Sequence, residues 1–159
     1  MGLRFSELLL PDHLRNEESS AVGATVSDDG VLWMLAAQGT KRQGVLLREL
    51  GDRLEELDSP RIELAPPMHR WTLYDSPLQR LDDGTLMIKG QGKVFLCDPK
   101  EQSWDRVFLP EHAEVVWGTS RRALYALGEN RLSWFDGEDW REVEIRDRTF
   151  PWWDETGEG

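Results

Sequence analysis

The residues of this chain that could do chemistry are few and scattered. Histidine occurs at His13, His69 and His112, and Cys97 is the single cysteine. A structural zinc site needs about four such ligands at close spacing, and no two of these lie near each other in sequence. No metal and no cofactor is expected. Asp28-Asp29-Gly30 and Asp82-Asp83-Gly84 each offer a carboxylate pair that could bind calcium or act as acid and base. Neither sits in an EF-hand-like loop. Asp-Gly supplies the positive φ that a tight hairpin turn requires, which accounts for both triplets. Gly90-Gln91-Gly92-Lys93 shares residues with a phosphate loop, but the Lys-Ser/Thr ending is absent and no helix pattern follows. Ser6, Ser19 and Ser20 lack a nucleophile-elbow pattern. Cys97 lies in an apolar run and predicts a buried, inert thiol. These residues give no nucleophile–base, paired-acid or metal constellation, so a non-enzymatic function is expected. An enzyme would have to assemble its site from distant residues such as His69, Asp98 and His112.

Charge points to binding instead. The formal net charge is −11 over 159 residues. This disfavours a nucleic-acid surface, which would carry a basic patch. From Asp136 to the end, nine acidic residues face only Arg141, Arg146 and Arg148. Trp140, Trp152 and Trp153 stand among them. Charge steers an encounter and buried aromatics hold it. Asp136, Glu138, Asp139, Trp140, Glu142, Trp152 and Trp153 are therefore the candidate partner-binding residues, and a basic protein is the expected partner. An inhibitor, an immunity-like protein and a scaffold are concrete forms of such a module.

The elements that must position these residues are strands. Apolar residues make up 39% of the chain, too many for a disordered segment. Ala113–Trp117, Ala123–Leu127, Leu132–Phe135 and Trp140–Ile145 are short apolar runs separated by polar, Gly or Asn punctuation. Four strands joined by hairpins is the reading. The pattern occurs three times, in repeats at about 21–60, 71–110 and 113–147, with an insertion at 61–70. In the insertion Ile62 and Leu64 predict a short edge strand, while Pro66-Pro67 forbids a central one. Residues 1–20 read as an N-terminal arm and linker, and 148–159 as an aromatic, acidic tail. Trp104 and Trp140 are expected at strand entrances, packing across the preceding turn.

The segments Asp82–Asp98 with Ser103–Val107, and Arg121–Val143, resemble β-propeller repeats of the kelch-like and two-component-regulator kinds. An apolar second strand, a Gly or Asn turn, an apolar third strand ending in Asp, and a Trp opening the fourth strand recur in both. Leu54 replaces that Trp in the first repeat. The resemblance implies an all-β protein of three consecutive four-stranded antiparallel sheets. Propellers have four to eight blades, so dimerisation to a six-bladed ring is one way of closing the molecule. An irregular barrel or sandwich is the alternative. The resemblance also frames the alternative function, a hydrolase or lectin-like propeller with carboxylates at a blade mouth. Nothing in the chain approaches membrane-spanning length, Leu8–Leu10 is too short for a signal peptide, and a cytoplasmic location is expected.

Overall fold

The computed structural model describes residues 9–15, 18–64 and 76–144. It is all-β, built of three antiparallel sheets in chain order. The first holds β1 (Ser19–Val26), β2 (Leu32–Gln38), β3 (Gln43–Leu50) and β4 (Arg53–Glu56), with β5 (Ile62–Glu63) added against β3. The second holds β6 (Leu78–Arg80), β7 (Leu86–Lys89), β8 (Lys93–Asp98) and β9 (Ser103–Phe108). The third holds β10 (Val115–Ser120), β11 (Ala123–Gly128), β12 (Arg131–Phe135) and β13 (Trp140–Glu142). Each sheet is a meander of neighbouring strands, and none closes on itself among the described residues.

The first sheet departs from the expected four strands because the insertion contributes its edge strand there, pairing Gly44 with Ile62. Glycine at position 44 lets the two backbones approach: a Cβ there would lie 3.1 Å from the Ile62 side chain. The sheet also starts earlier than the linker reading placed it, since Ser19 and Ser20 already pair with Gln38 and Ala37. In the second repeat the first strand lies at Leu78–Arg80. The apolar run at Trp71–Tyr74 falls outside the described residues.

The stacking follows from period-two alternation. Leu86, Ile88, Phe95 and Cys97 point one way from the second sheet and pack on Trp33, Leu35, Leu46 and Ile62 of the first. Met87, Val94 and Leu96 point the other way and pack on Val116, Leu124 and Phe135 of the third. Both faces of the second sheet are thereby buried, which is why β7 and β8 read as continuous apolar runs rather than alternating ones.

Each interface also has a polar latch. Trp104 stands opposite Cys97, and its indole Nε1 donates to the Asp58 carbonyl of the first repeat at 3.1 Å. Trp140 stands opposite Phe135, and its Nε1 donates to the Phe108 carbonyl of the second sheet at 2.8 Å. Both tryptophans lie at their strand entrances as expected, Trp104 second in β9 and Trp140 first in β13, but they reach the preceding sheet. The Asp-Asp-Gly turns are likewise shared between sheets. Gly30 and Gly84 take φ of 80° and 85°. Asp28 accepts from Arg80 at 2.6 Å, and Asp83 accepts from the Arg121 amide at 2.9 Å.

The two ends of the stack differ. The outer face of the first sheet buries Ala36, Val45, Leu47 and Leu54 beneath Leu10 and Leu14. The outer face of the third sheet exposes Val115, Trp117, Leu127 and Trp134.

Candidate partner-binding surface

The acidic hairpin is held by its own first carboxylate. Asp136 follows β12, and its Oδ1 accepts the backbone amides of Glu138 and Asp139, each at 2.9 Å. This Asx turn satisfies two amides that would otherwise face solvent. Asp98 does the same at the end of β8, accepting the amides of Lys100 at 2.9 Å and Glu101 at 3.2 Å. The Asp ending the third strand of both repeats is therefore turn chemistry. Asp136 Oδ2 accepts from Arg141 Nε at 2.9 Å. The Asp139 and Glu138 amides, with a smaller contribution from the Arg141 charge, outweigh desolvation and hold the Asp136 carboxyl below its ordinary range.

The seven candidate residues thus divide. Asp136 shapes the turn, Trp140 latches the sheet interface and packs on Phe135 at a centroid separation of 5.4 Å. Glu142 accepts from Arg131 at 2.9 Å. That bond holds the Glu142 carboxyl below its ordinary range, helped by the Arg131 charge and by His112, and it raises Arg131. Glu138 and Asp139 are exposed at the hairpin tip. Trp152 and Trp153 lie outside the described residues.

Sequence reasoning missed a cavity beside this hairpin. It has a volume of about 620 Å³ and is lined by His112, Glu129, Arg131, Ser133, Trp140 and Glu142, among others. His112 and Ser133 are buried, at 7% and 4% exposure, and share a hydrogen bond of 3.2 Å between Nε2 and Oγ. The two are distant in sequence and belong to no motif, so no local signal could have paired them. A second groove of about 700 Å³ lies between the first and second sheets, where Asp28, Asp29, Asp83 and Asp98 meet Arg48 and Lys100. Asp98 and His112 line different cavities, and His69 lies outside the described residues. Among the described residues no group of three or more His, Cys, Asp or Glu side chains is placed to hold a metal ion. Cys97 is fully buried, and desolvation, with the Asp98 charge adding, pushes its thiol up to about 12. No helix among the described residues is long and apolar enough to cross a membrane.

No protein-family model matches this chain, and no curated protein matches it. Two solved structures are similar. One is a catalytically inactive histidine variant of virginiamycin B lyase from Staphylococcus aureus with quinupristin. It is 17% identical with a TM-score of 0.51 over 85% of this chain. The other is the extracellular domain of the one component system BT4673 from B. thetaiotaomicron, 15% identical with a TM-score of 0.49 over 77% of this chain. The chain spans 44% of the first structure and 16% of the second. At this identity the likeness to the lyase bears on the fold alone, and it supports reading these three sheets as propeller-like blades.

Proposed function

We propose that this chain is a non-enzymatic protein-interaction module that inhibits, scaffolds or neutralises a basic partner. The contact surface is the β12–β13 hairpin. One observation carries the reading. Glu138 and Asp139 are exposed on a turn whose own amides, Asp136 and Arg141 fix its shape. Two carboxylates are then presented from a backbone with little conformational entropy left to lose on binding, which favours affinity as well as steering. Glu129 and Glu142 extend the acidic surface into the neighbouring cavity.

The test is capture from the native cell followed by mass spectrometry, with the Glu138→Lys, Asp139→Lys double variant run beside the unaltered chain. Among the described residues neither side chain is bonded to the rest of the fold, so circular dichroism should be unchanged. Loss of a basic partner in the variant supports the reading, and retention of every partner removes the hairpin as the contact surface.

A second reading, a hydrolase, is favoured by one feature: the buried His112–Ser133 pair beside Glu142. Its weakness is that Glu142 is already bonded to Arg131. A fluorophosphonate probe separates the two readings. The binding reading expects no labelling, whereas labelling of Ser133 that His112→Ala abolishes would replace it with the hydrolase.

A further inference from the structure

The third sheet presents an apolar outer face that no described residue covers. Trp117, Tyr125 and Trp134 form one row across β10, β11 and β12, and Val115, Leu127 and Leu132 form the next. Trp117 and Tyr125 stack at 5.6 Å between centroids. Exposure is 38% at Trp117, 37% at Trp134, 41% at Leu127 and 45% at Val115. An apolar face of this kind in a stack of sheets is where a cover belongs.

The opposite end of the molecule shows how this chain covers such a face. Leu9 pairs in parallel with Arg53 of the edge strand β4. Its amide donates to the Asp52 carbonyl at 3.2 Å, and its own carbonyl accepts the Leu54 amide at 2.8 Å. From that edge Leu10 and Leu14 close over Ala36, Val45, Leu47 and Leu54. The segment preceding the first sheet thus meets its fourth strand and lays apolar side chains over its outer face. At the other end the fourth strand is β13, and residues 145–159 continue from it with Phe150, Trp152 and Trp153 among them.

We infer that residues 145–159 cover the outer face of the third sheet, with Phe150, Trp152 and Trp153 over the row of Trp117, Tyr125 and Trp134. The reach is sufficient. Phe150 lies six positions beyond Glu144, about 20 Å of extended chain, while Trp117 lies three strand spacings from β13, about 14 Å. A tethered segment also acts at a millimolar effective concentration, which a second copy at ordinary concentration does not match. Two copies would each bring a net charge of −11 to the contact. A ring of two copies would further need the outer face of the first sheet, which Leu10 and Leu14 already cover. The inference is independent of the acidic-hairpin reading, and it assigns Trp152 and Trp153 to the body of the protein rather than to a partner.

The test uses the full chain and a Phe150→Ser, Trp152→Ser, Trp153→Ser variant of the same length. The full chain should sediment as a monomer and bind no anilinonaphthalene sulfonate. The triple variant should keep its far-UV circular dichroism, bind the dye and self-associate. Equal dye binding by both chains overturns the inference, because the face is then open in each. A dimer that persists in the triple variant overturns it in favour of a second copy, and a dimer that the variant dissolves overturns its intramolecular form. Limited trypsin digestion of the unaltered chain gives a readout that needs no variant. Cleavage after Arg146 and Arg148 should be at least tenfold slower than in a free peptide of residues 140–159, and cleavage at the peptide's rate overturns the inference.

Discussion

Replacing the two latching tryptophans tests the stacked-sheet account at its joints. Trp140→Phe keeps an aromatic ring on Phe135 but removes the donor to the Phe108 carbonyl, a bond of 2.8 Å. Trp104→Phe likewise frees the Asp58 carbonyl, at 3.1 Å. A neutral hydrogen bond is worth about 0.5–1.5 kcal/mol net. Both indole bonds lie in exposed surroundings, so water can reach the freed carbonyls and the lower half of that range applies. We expect a loss of ~0.7 kcal/mol for each phenylalanine variant. Trp140→Ala also loses ring packing. A fully buried Trp→Ala change costs about 3–5 kcal/mol, and half-burial brings the expectation to ~2 kcal/mol. The two latches sit at different interfaces, so the double phenylalanine variant should lose the sum of the singles. Urea unfolding monitored by far-UV circular dichroism measures all four variants, with the m-value unchanged. A Trp140→Ala variant within ~0.5 kcal/mol of the parent, the range of ordinary surface changes, would refute the latch.

Three further outcomes are expected. Gly128→Ala should destabilise by at least ~2 kcal/mol through overpacking, because a Cβ there would lie 1.7 Å from the His112 carbonyl oxygen and 2.9 Å from the Glu114 amide; thermal unfolding of the variant checks this. Cys97, with its thiol pushed up to about 12, should ignore a thiol reagent at pH 8 in the native protein and react once in urea; rapid stoichiometric labelling without denaturant would contradict its burial. Because the folded Asp136 carboxyl is held below its ordinary value of 3.8, it contributes stability above that value and loses it as pH falls through the folded one. Asp136→Asn should therefore lower the melting temperature at pH 7 and narrow the gap to the parent at pH 2, and an equal gap at both pH values would contradict the carboxylate's role.

What the sequence disclosed was whatever is written locally. The turns at Gly30 and Gly84 are legible because Asp-Gly carries their backbone conformation in its own chemistry. The strands β7, β8, β11 and β12 are legible because their apolar runs are bounded by polar, Gly, Pro or Asn punctuation. The aligned Asp98 and Asp136 mark equivalent turns for the same reason. Across-sheet relations were not legible. Trp104 and Trp140 could be placed at strand entrances, but nothing local shows that their indoles bond to carbonyls 46 and 32 positions earlier. The ties from the Arg80 side chain to Asp28 and from the Arg121 backbone amide to Asp83 are equally silent in sequence, since surface charges of either sign are common and any residue could supply the amide. The His112–Ser133 pair needs the Pro110–Ala113 connection to fold against Gly128, a contact set by backbone approach rather than by a motif. The candidate surface was legible as composition only. Which acids would be spent on the turn, as Asp136 is, and which would stay exposed, as Glu138 and Asp139 do, depended on the Asx geometry.

The most direct test of the proposed function is amide chemical-shift mapping of the isotope-labelled full chain during titration with the captured basic partner. We expect the largest changes at Gly137, Glu138, Asp139 and the β13 residues, weakening as salt is raised from 50 to 300 mM. Changes confined to the Asp28–Asp98 groove or to the first sheet, with the hairpin amides unmoved, would contradict it.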